Sequence, residues 1–396
     1  MTTVTEADVV RLFRPELAAL EPYTPIHPFE VVSRRLGRAP ENIVKLDANE
    51  NPYGPSPRAV EAMASYRWHH IYPDPQSNEL RGALAEYLGV PVASILAGSG
   101  ADELIDLVAR LFLSPGDGVI DCPPTFGMYS FDAAINGATV VNAPRRSDFS
   151  VDIGGIERLF APRHGYDEYG WLDAAPPVGQ ASAESVLPPL KLLFICSPNN
   201  PDGGLIAPDD LQRLLRLPVV VVLDQAYVEF AGPEASLTHW VADYPNLVVL
   251  RTFSKWAGLG GLRVGYGVFP PAIIEQLWKI KQPYNVNVAG NRAALASLAD
   301  HDHLLGNVAR LVAERDRLVR DLARFEFLQP IPGSRSNFVL CRVVDRDAAA
   351  LKLGLEGHGV LVRYFAKPGL ENYIRVSAGR PADTDALLAA LAELAG

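Results

Sequence analysis

A chain of 396 residues, 48% hydrophobic and 21% charged, is long enough to bury the cores of two or three domains, and that balance excludes wholesale disorder. Its net charge is −10 and no run concentrates Lys and Arg, so neither a nucleic acid nor an anionic membrane is an expected partner. Met1–Asp8 is polar and acidic and the longest apolar runs are strand-length, so a cytoplasmic protein acting on small molecules is expected.

In chain order, residues 1–50 are punctuated by proline and are expected to pack on the C-terminal part of the chain. Residues 51–287 alternate strand-like and helix-like segments, the pattern of a large α/β domain with a mostly parallel sheet. The β-rich runs are Gly118–Cys122, Ala138–Asn142, Lys191–Cys196, Pro218–Leu223, Asn246–Leu250 and Arg263–Phe269. They are apolar at nearly every position, as strands covered on both faces are. Helical stretches such as Asp102–Leu113 and Pro208–Leu217 lie between them. Segment 163–189 has four prolines, three glycines and no period, and reads as a surface insertion. Residues 288–396 read as a small α+β domain. One or two helices cover Asn291–Phe325, followed by strand Asn337–Val343, a helix at Ala348–Glu356, strands Val360–Tyr364 and Tyr373–Ser377, and a terminal helix Ala382–Ala395.

The three cysteines, Cys122, Cys196 and Cys341, each adjoin an apolar run and read as buried reduced thiols. The eight histidines show no metal-ligand spacing, so no metal is expected.

Three successive apolar strands end in polar residues. The first runs into Ser197-Pro198-Asn199-Asn200-Pro201, the second into Asp224-Gln225-Ala226-Tyr227, the third into Arg251-Thr252-Phe253-Ser254-Lys255. Spacings of 24 residues from Asn200 to Asp224 and 31 from Asp224 to Lys255 suit βα units. Ligands of open α/β sheets sit beyond the carboxyl ends of the strands, so Asn200, Asp224, Tyr227 and Lys255 are expected to converge on one crevice. Each alone is ordinary turn chemistry; together they are hard to dismiss. Lys255 lies among Thr252, Ser254, Gly258, Gly260, Gly261 and Arg263, a set suited to a phosphate that backbone approaches closely. A lysine beside a bound phosphate suggests a Schiff base with pyridoxal 5′-phosphate, and Asp224 would then pair with the protonated pyridine nitrogen. Gly98-Ser99-Gly100-Ala101-Asp102 opens a helix whose N-terminus favours an anion. Neither glycine cluster fits GxGxxG, because Glu103 and Arg263 occupy the third glycine position, which argues against a dinucleotide fold. Phe126, after the strand Gly118–Cys122, is placed to stack on a flat ring.

The segments TFSKWAGLGGLRVGYG, SPNNPDGG, LDQAYVEF, GSGADELID, CPPTFGMY, IYPDPQS, LDANENPYGPSP and VLVRYFAKPGLENYIRVSAG together resemble the histidinol-phosphate aminotransferase family. The resemblance runs from about Pro22 to the C-terminus. It implies a fold type I pyridoxal-phosphate-dependent transferase: a large domain with a mostly parallel, seven-stranded-type sheet sandwiched by helices, and a small α+β domain. It also implies amino transfer between L-histidinol phosphate and 2-oxoglutarate, giving imidazole acetol phosphate and L-glutamate. An aromatic-amino-acid aminotransferase and a threonine-phosphate decarboxylase share the fold. Carried over by position, Lys255 matches the Schiff-base lysine, Asp224 the pyridine partner, Asn200 and Tyr227 the donors to the ring oxygen, and Phe126 the stacking ring. Gly100, Ala101, Asp102, Thr252, Ser254 and Arg263 match the phosphate cup. Tyr72 matches a tyrosine supplied by the neighbouring subunit, which implies a homodimer. Arg375 matches the arginine that receives substrate, with Arg363, Arg34 or Arg35 as the second basic group, and Tyr23 matches a tyrosine closing over the substrate. Gln225 departs from the glutamate usual at its position and is expected to point away from the ring.

Overall fold

The computed structural model describes residues 4–18, 20–22, 28–160 and 187–395; Tyr23 and most of segment 163–189 lie outside the described residues. The described strands are β1 (Val44–Leu46), β2 (Ile95–Gly98), β3 (Gly118–Asp121), β4 (Thr139–Asn142), β5 (Leu190–Cys196), β6 (Val220–Asp224), β7 (Leu247–Thr252), β8 (Gly265–Val268), β9 (Leu328–Pro330), β10 (Phe338–Val343), β11 (Val360–Tyr364) and β12 (Tyr373–Ser377). They form two sheets. The seven-stranded sheet has the order β2-β8-β7-β6-β5-β3-β4, with β3 to β7 parallel and β8 antiparallel to both of its neighbours.

The continuous apolar runs reflect burial on two faces. On β5, Leu192 and Phe194 face a layer with Leu104, Val108 and Leu277, contributed by helices Gly100–Phe112 and Pro271–Ile280. Leu193 and Ile195 face the opposite layer with Leu211 and Leu214 of helix Pro208–Leu214. Alternate residues thus go to alternate faces, and both faces are core.

The five-stranded sheet has the order β1-β11-β12-β10-β9, so Val44–Leu46 of the N-terminal segment lies parallel to β11 at its edge. The run Asn291–Phe325 holds two helices, Val288–Ala299 and His301–Leu322, parted at Asp300. Leu304, Leu311 and Leu318 recur every seventh position on the second helix and join a core with Phe338, Ile374 and Leu387. Several expected boundaries shift by a few residues. The strand expected at Arg263–Phe269 begins only at Gly265, because Arg263 is left-handed (φ 54°) and cannot continue a strand. All three cysteines are buried and unpaired. Among the described residues no helix is long and apolar enough to cross a membrane, and no cluster of His, Cys, Asp and Glu is arranged to hold a metal.

Candidate active site

The polar strand ends meet as the spacing predicts. A cavity of about 240 Å³ beyond the carboxyl ends of β5, β6 and β7 is lined by Ala101, Asp102, Phe126, Asn200, Asp224, Tyr227, Thr252, Ser254, Lys255 and Arg263. The parallel register fixes the two central positions, since Cys196 at the end of β5 is level with Asp224 at the end of β6.

Lys255 sits three residues past β7, its Nζ 3.3 Å from the Ala48 carbonyl oxygen and 5.9 Å from the Tyr227 ring centroid. Burial, then the Arg375 and Arg263 charges, press its pKa down to about 8, while Glu50 and Asp102 resist the shift. A lysine so placed keeps a useful fraction of neutral, nucleophilic amine near neutral pH. Asp224 is 3% exposed. Its Oδ2 accepts from the Tyr129 hydroxyl at 2.6 Å and its Oδ1 from the Ala226 N–H at 2.9 Å. Burial raises its pKa to about 6 against the lowering effect of both bonds.

One end of the cavity is a cradle for an anion. The Gly100–Phe112 helix begins there, presenting unpaired backbone N–H groups and the positive end of its dipole. Gly100 is left-handed (φ 83°), and a Cβ on it would lie 2.5 Å from Arg263 Nη2. At Gly265 a Cβ would lie 2.5 Å from the Ala101 backbone nitrogen, so only glycine lets the helix start rest on β8. Arg263 Nη2 meets Asp102 Oδ2 at 2.6 Å, and Thr252 Oγ1 donates to Ser254 Oγ at 2.8 Å. A guanidinium, two hydroxyls and a helix N-terminus form a donor set that suits a phosphate. Lys255 and Asp224 beyond it suit the aldehyde and the ring nitrogen of a phosphorylated pyridine, with Phe126 on the same wall. The residues fit pyridoxal 5′-phosphate.

The small sheet stands behind Asn200, with Arg375 itself outside the lining. Arg375 on β12 donates through Nη1 to Asn200 Oδ1 at 2.6 Å and through Nη2 to the Asp47 carbonyl oxygen at 2.8 Å. Asn200 therefore spends its carbonyl on Arg375, which leaves its Nδ2 as the donor for the cavity. Tyr227 Oη accepts from Asn49 Nδ2 at 3.0 Å. Asn49 Oδ1 in turn accepts from Ser377 Oγ at 2.8 Å, and the Asn49 carbonyl from Asn337 Nδ2 at 3.0 Å.

Other expected residues lie off the cavity in this single chain. Tyr72 is 79% exposed, its ring stacked on Tyr284 at 4.7 Å. Arg363 stands beside Arg375 on β11, outside the lining. Arg35 is committed to an ion pair with Glu356, and Arg34 Nε donates to the Glu30 carbonyl oxygen at 3.2 Å within its own helix. Of the second basic groups considered, only Arg363 adjoins Arg375. Gln225 points away from the cavity: its amide donates to the Ala235 carbonyl oxygen at 2.7 Å and accepts from Arg251 Nη2 at 3.1 Å. Three residues near the site went unassigned from sequence: Asn49, Glu50 and Tyr129. Glu50 lines the cavity and meets Lys45 Nζ at 2.6 Å. Their signal was the motif segments LDANENPYGPSP and CPPTFGMY, which carried no individual roles.

Residues 41–391 match the family of class I and II aminotransferases. The histidinol-phosphate aminotransferase of Roseiflexus castenholzii is 49% identical over 98% of this chain and 100% of its own length. The chain belongs to the histidinol-phosphate aminotransferase family. The chloroplastic histidinol-phosphate aminotransferase 1 of Arabidopsis thaliana is 51% identical over 96% of this chain and 84% of its own length. Among solved structures, the histidinol-phosphate aminotransferase of Sinorhizobium meliloti, in complex with pyridoxal-5′-phosphate, superposes with a TM-score of 0.82 at 29% identity, covering 97% of each chain. The family fold is the fold type I transferase that the motifs implied, with its mostly parallel seven-stranded sheet.

Proposed function

We propose that this chain moves the amino group of L-histidinol phosphate to 2-oxoglutarate, yielding imidazole acetol phosphate and L-glutamate in histidine biosynthesis, with pyridoxal 5′-phosphate as cofactor. The observation that carries the reading is that Lys255 and Asp224 line one cavity with Asn200, whose Oδ1 accepts a hydrogen bond from Arg375. The bound cofactor supplies a ring that withdraws electrons from the substrate Cα.

The chain's own residues do the rest. Thr252, Ser254, Arg263 and the backbone of Gly100, Ala101 and Asp102 hold the cofactor phosphate; Phe126 covers the ring; Asn200 and Tyr227 donate to its oxygen. Asp224 keeps the pyridine nitrogen protonated. The Lys255 amine, once released, carries the proton at the substrate Cα. Arg375 takes the α-carboxylate of glutamate or, with Arg363, the phosphate of histidinol phosphate, because a planar guanidinium meets either anion with paired hydrogen bonds. Tyr72, exposed on its own chain, reaches the neighbouring site of a homodimer. Tyr23 closes over the substrate. The enzyme works in the cytoplasm.

The test is a panel of amino donors with 2-oxoglutarate as acceptor. The reading expects histidinol phosphate to give the highest kcat/KM. Faster turnover of phenylalanine or tyrosine, or release of carbon dioxide from threonine phosphate, overturns it.

A further inference from the structure

We propose that Tyr129 is a positioning residue for the cofactor: its buried hydroxyl orients Asp224 toward the pyridine nitrogen and keeps that carboxylate free of a proton. The inference rests on the cofactor reading above. Tyr129 is the second residue of the helix Met128–Ile135, is 0% exposed, and donates to Asp224 Oδ2 at 2.6 Å from 95 residues away in the chain. Its ring is clamped, stacked on Phe194 at 4.7 Å with planes 7° apart and met edge-on by Phe126 at 5.6 Å. Phe126, which lines the cavity, and Tyr129, which holds the carboxylate, are therefore packed against each other.

The carboxylate has one donor on each oxygen, the tyrosine hydroxyl on Oδ2 and the Ala226 N–H on Oδ1. That leaves a lone pair on each oxygen for the cofactor and fixes the plane of the group. The charged and titratable groups facing it from other elements are Asp102 of helix Gly100–Phe112, Cys196 of β5, Tyr227 after β6 and Lys255 after β7. Among the described residues only Tyr129 gives the carboxylate a side-chain hydrogen bond. A buried carboxylate that loses such a donor takes up a proton more readily or rotates.

Tyr129→Phe removes the hydroxyl and keeps the stacked ring. In enzyme reconstituted with 15N-labelled cofactor, the wild-type pyridine nitrogen is expected to give a protonated signal from pH 6 to 9. In the variant, the neutral signal is expected to grow within that range, with the cofactor Kd rising about tenfold. The apoenzyme gives an independent readout. Asp224 has a folded-state pKa of about 6, above its ordinary 3.8. The unfolded chain thus ionises first, and Asp224 lowers stability as pH rises from about 4 to 6. Without the Tyr129 hydroxyl that fall extends to higher pH, so the gap between wild type and variant widens above pH 6. A role in packing alone gives a gap that does not vary with pH. If Tyr129→Phe fails to fold, 3-fluorotyrosine incorporated at Tyr129 keeps the hydroxyl and makes it a stronger donor; the nitrogen is then expected to stay protonated to higher pH. An unchanged nitrogen signal together with a gap constant in pH overturns the inference. Wild-type protein that binds no labelled cofactor overturns instead the reading on which it rests.

Discussion

Arg363 and Arg375 stand directly opposite each other on β11 and β12, and both guanidiniums lie over the Phe365 ring, at 5.5 and 5.7 Å from its centroid. Cross-strand neighbours of like charge repel, so the arrangement costs stability unless an anion joins them. Arg375 is held by Asn200 and Asp47, whereas Arg363 sits nearer solvent. A deep arginine fixed by neutral acceptors with a looser one beside it suits ligands that carry one or two negative charges at the same point.

The pair therefore makes a divided prediction. Arg375→Lys is expected to slow both half-reactions in single-turnover kinetics, each by about 1–3 kcal/mol, the range for a lost charge-assisted bond. Arg363→Lys is expected to raise the KM for histidinol phosphate while leaving that for glutamate nearly unchanged. Equal effects of Arg363→Lys on both donors would show that it does not serve the phosphate.

Lys255→Ala is expected to fold, because the side chain projects into a cavity and its loss leaves no core void. The near-visible absorbance of the cofactor joined to the lysine and turnover should both vanish, since among the described lining residues no other amine faces the cavity. Circular dichroism and cofactor absorbance decide the matter, and turnover near the wild-type rate would refute the assignment of the whole site.

Cofactor capture by the apoenzyme is expected to depend on pH through the same lysine. With its pKa pressed to about 8 from an ordinary 10.5, roughly a tenth of Lys255 is neutral at pH 7. The rate of capture should rise close to tenfold per pH unit up to about pH 8 and then level off. Between about pH 8 and 10.5 the unfolded chain binds the proton that the folded chain has lost, so apoenzyme stability rises with pH in that window. Glu50 holds the lysine pKa up, so Glu50→Gln should bring the plateau to lower pH. A rate flat from pH 6 to 9.5 in stopped-flow mixing would sink this account.

Much of the site was legible in sequence because it is built from strand ends. β5, β6 and β7 announce themselves by apolar runs, and the first polar residues after them must lie on one side of the sheet, which brings Asn200, Asp224 and Lys255 together. β2, Ile95–Gly98, is as long as β3, β4 and β8, but half of it is Ala97 and Gly98, so it carries little strand pattern beside the glycines that follow. β1 and β9, three residues each, carry still less pattern. Tyr129 is not legible in the sequence for a physical reason. A buried aromatic reads as core, and its one polar bond goes to a residue far along the chain, which only the folded sheet brings near. Arg363 and Arg375 both stand in the segment VLVRYFAKPGLENYIRVSAG, but their juxtaposition depends on strand register, which no local pattern fixes.

Gly100 supplies the sharpest test of the phosphate cradle. Its backbone is left-handed at φ 83°, where a side chain is strained by about 1–2 kcal/mol, and its missing Cβ is the space the Arg263 guanidinium fills. Arg263 is itself left-handed and is tied to Asp102 and, through Nη1, to the Gly260 carbonyl oxygen at 3.2 Å. In Gly100→Ala the new methyl group and the guanidinium compete for one place, and the tip of the arginine must yield. The fold should survive with modestly lowered apoenzyme stability. Affinity for pyridoxal 5′-phosphate should fall by about ten- to a hundredfold, as for one to two charge-assisted bonds. Pyridoxal, which has the ring and aldehyde but no phosphate, should bind nearly as it does to the wild type, because Lys255, Asp224 and Phe126 are untouched. The measurement is a titration of apoenzyme with each compound, followed by absorbance. A matching loss for both compounds would mean that Gly100 shapes the whole cavity, and no loss for either would remove the cradle from the phosphate's account.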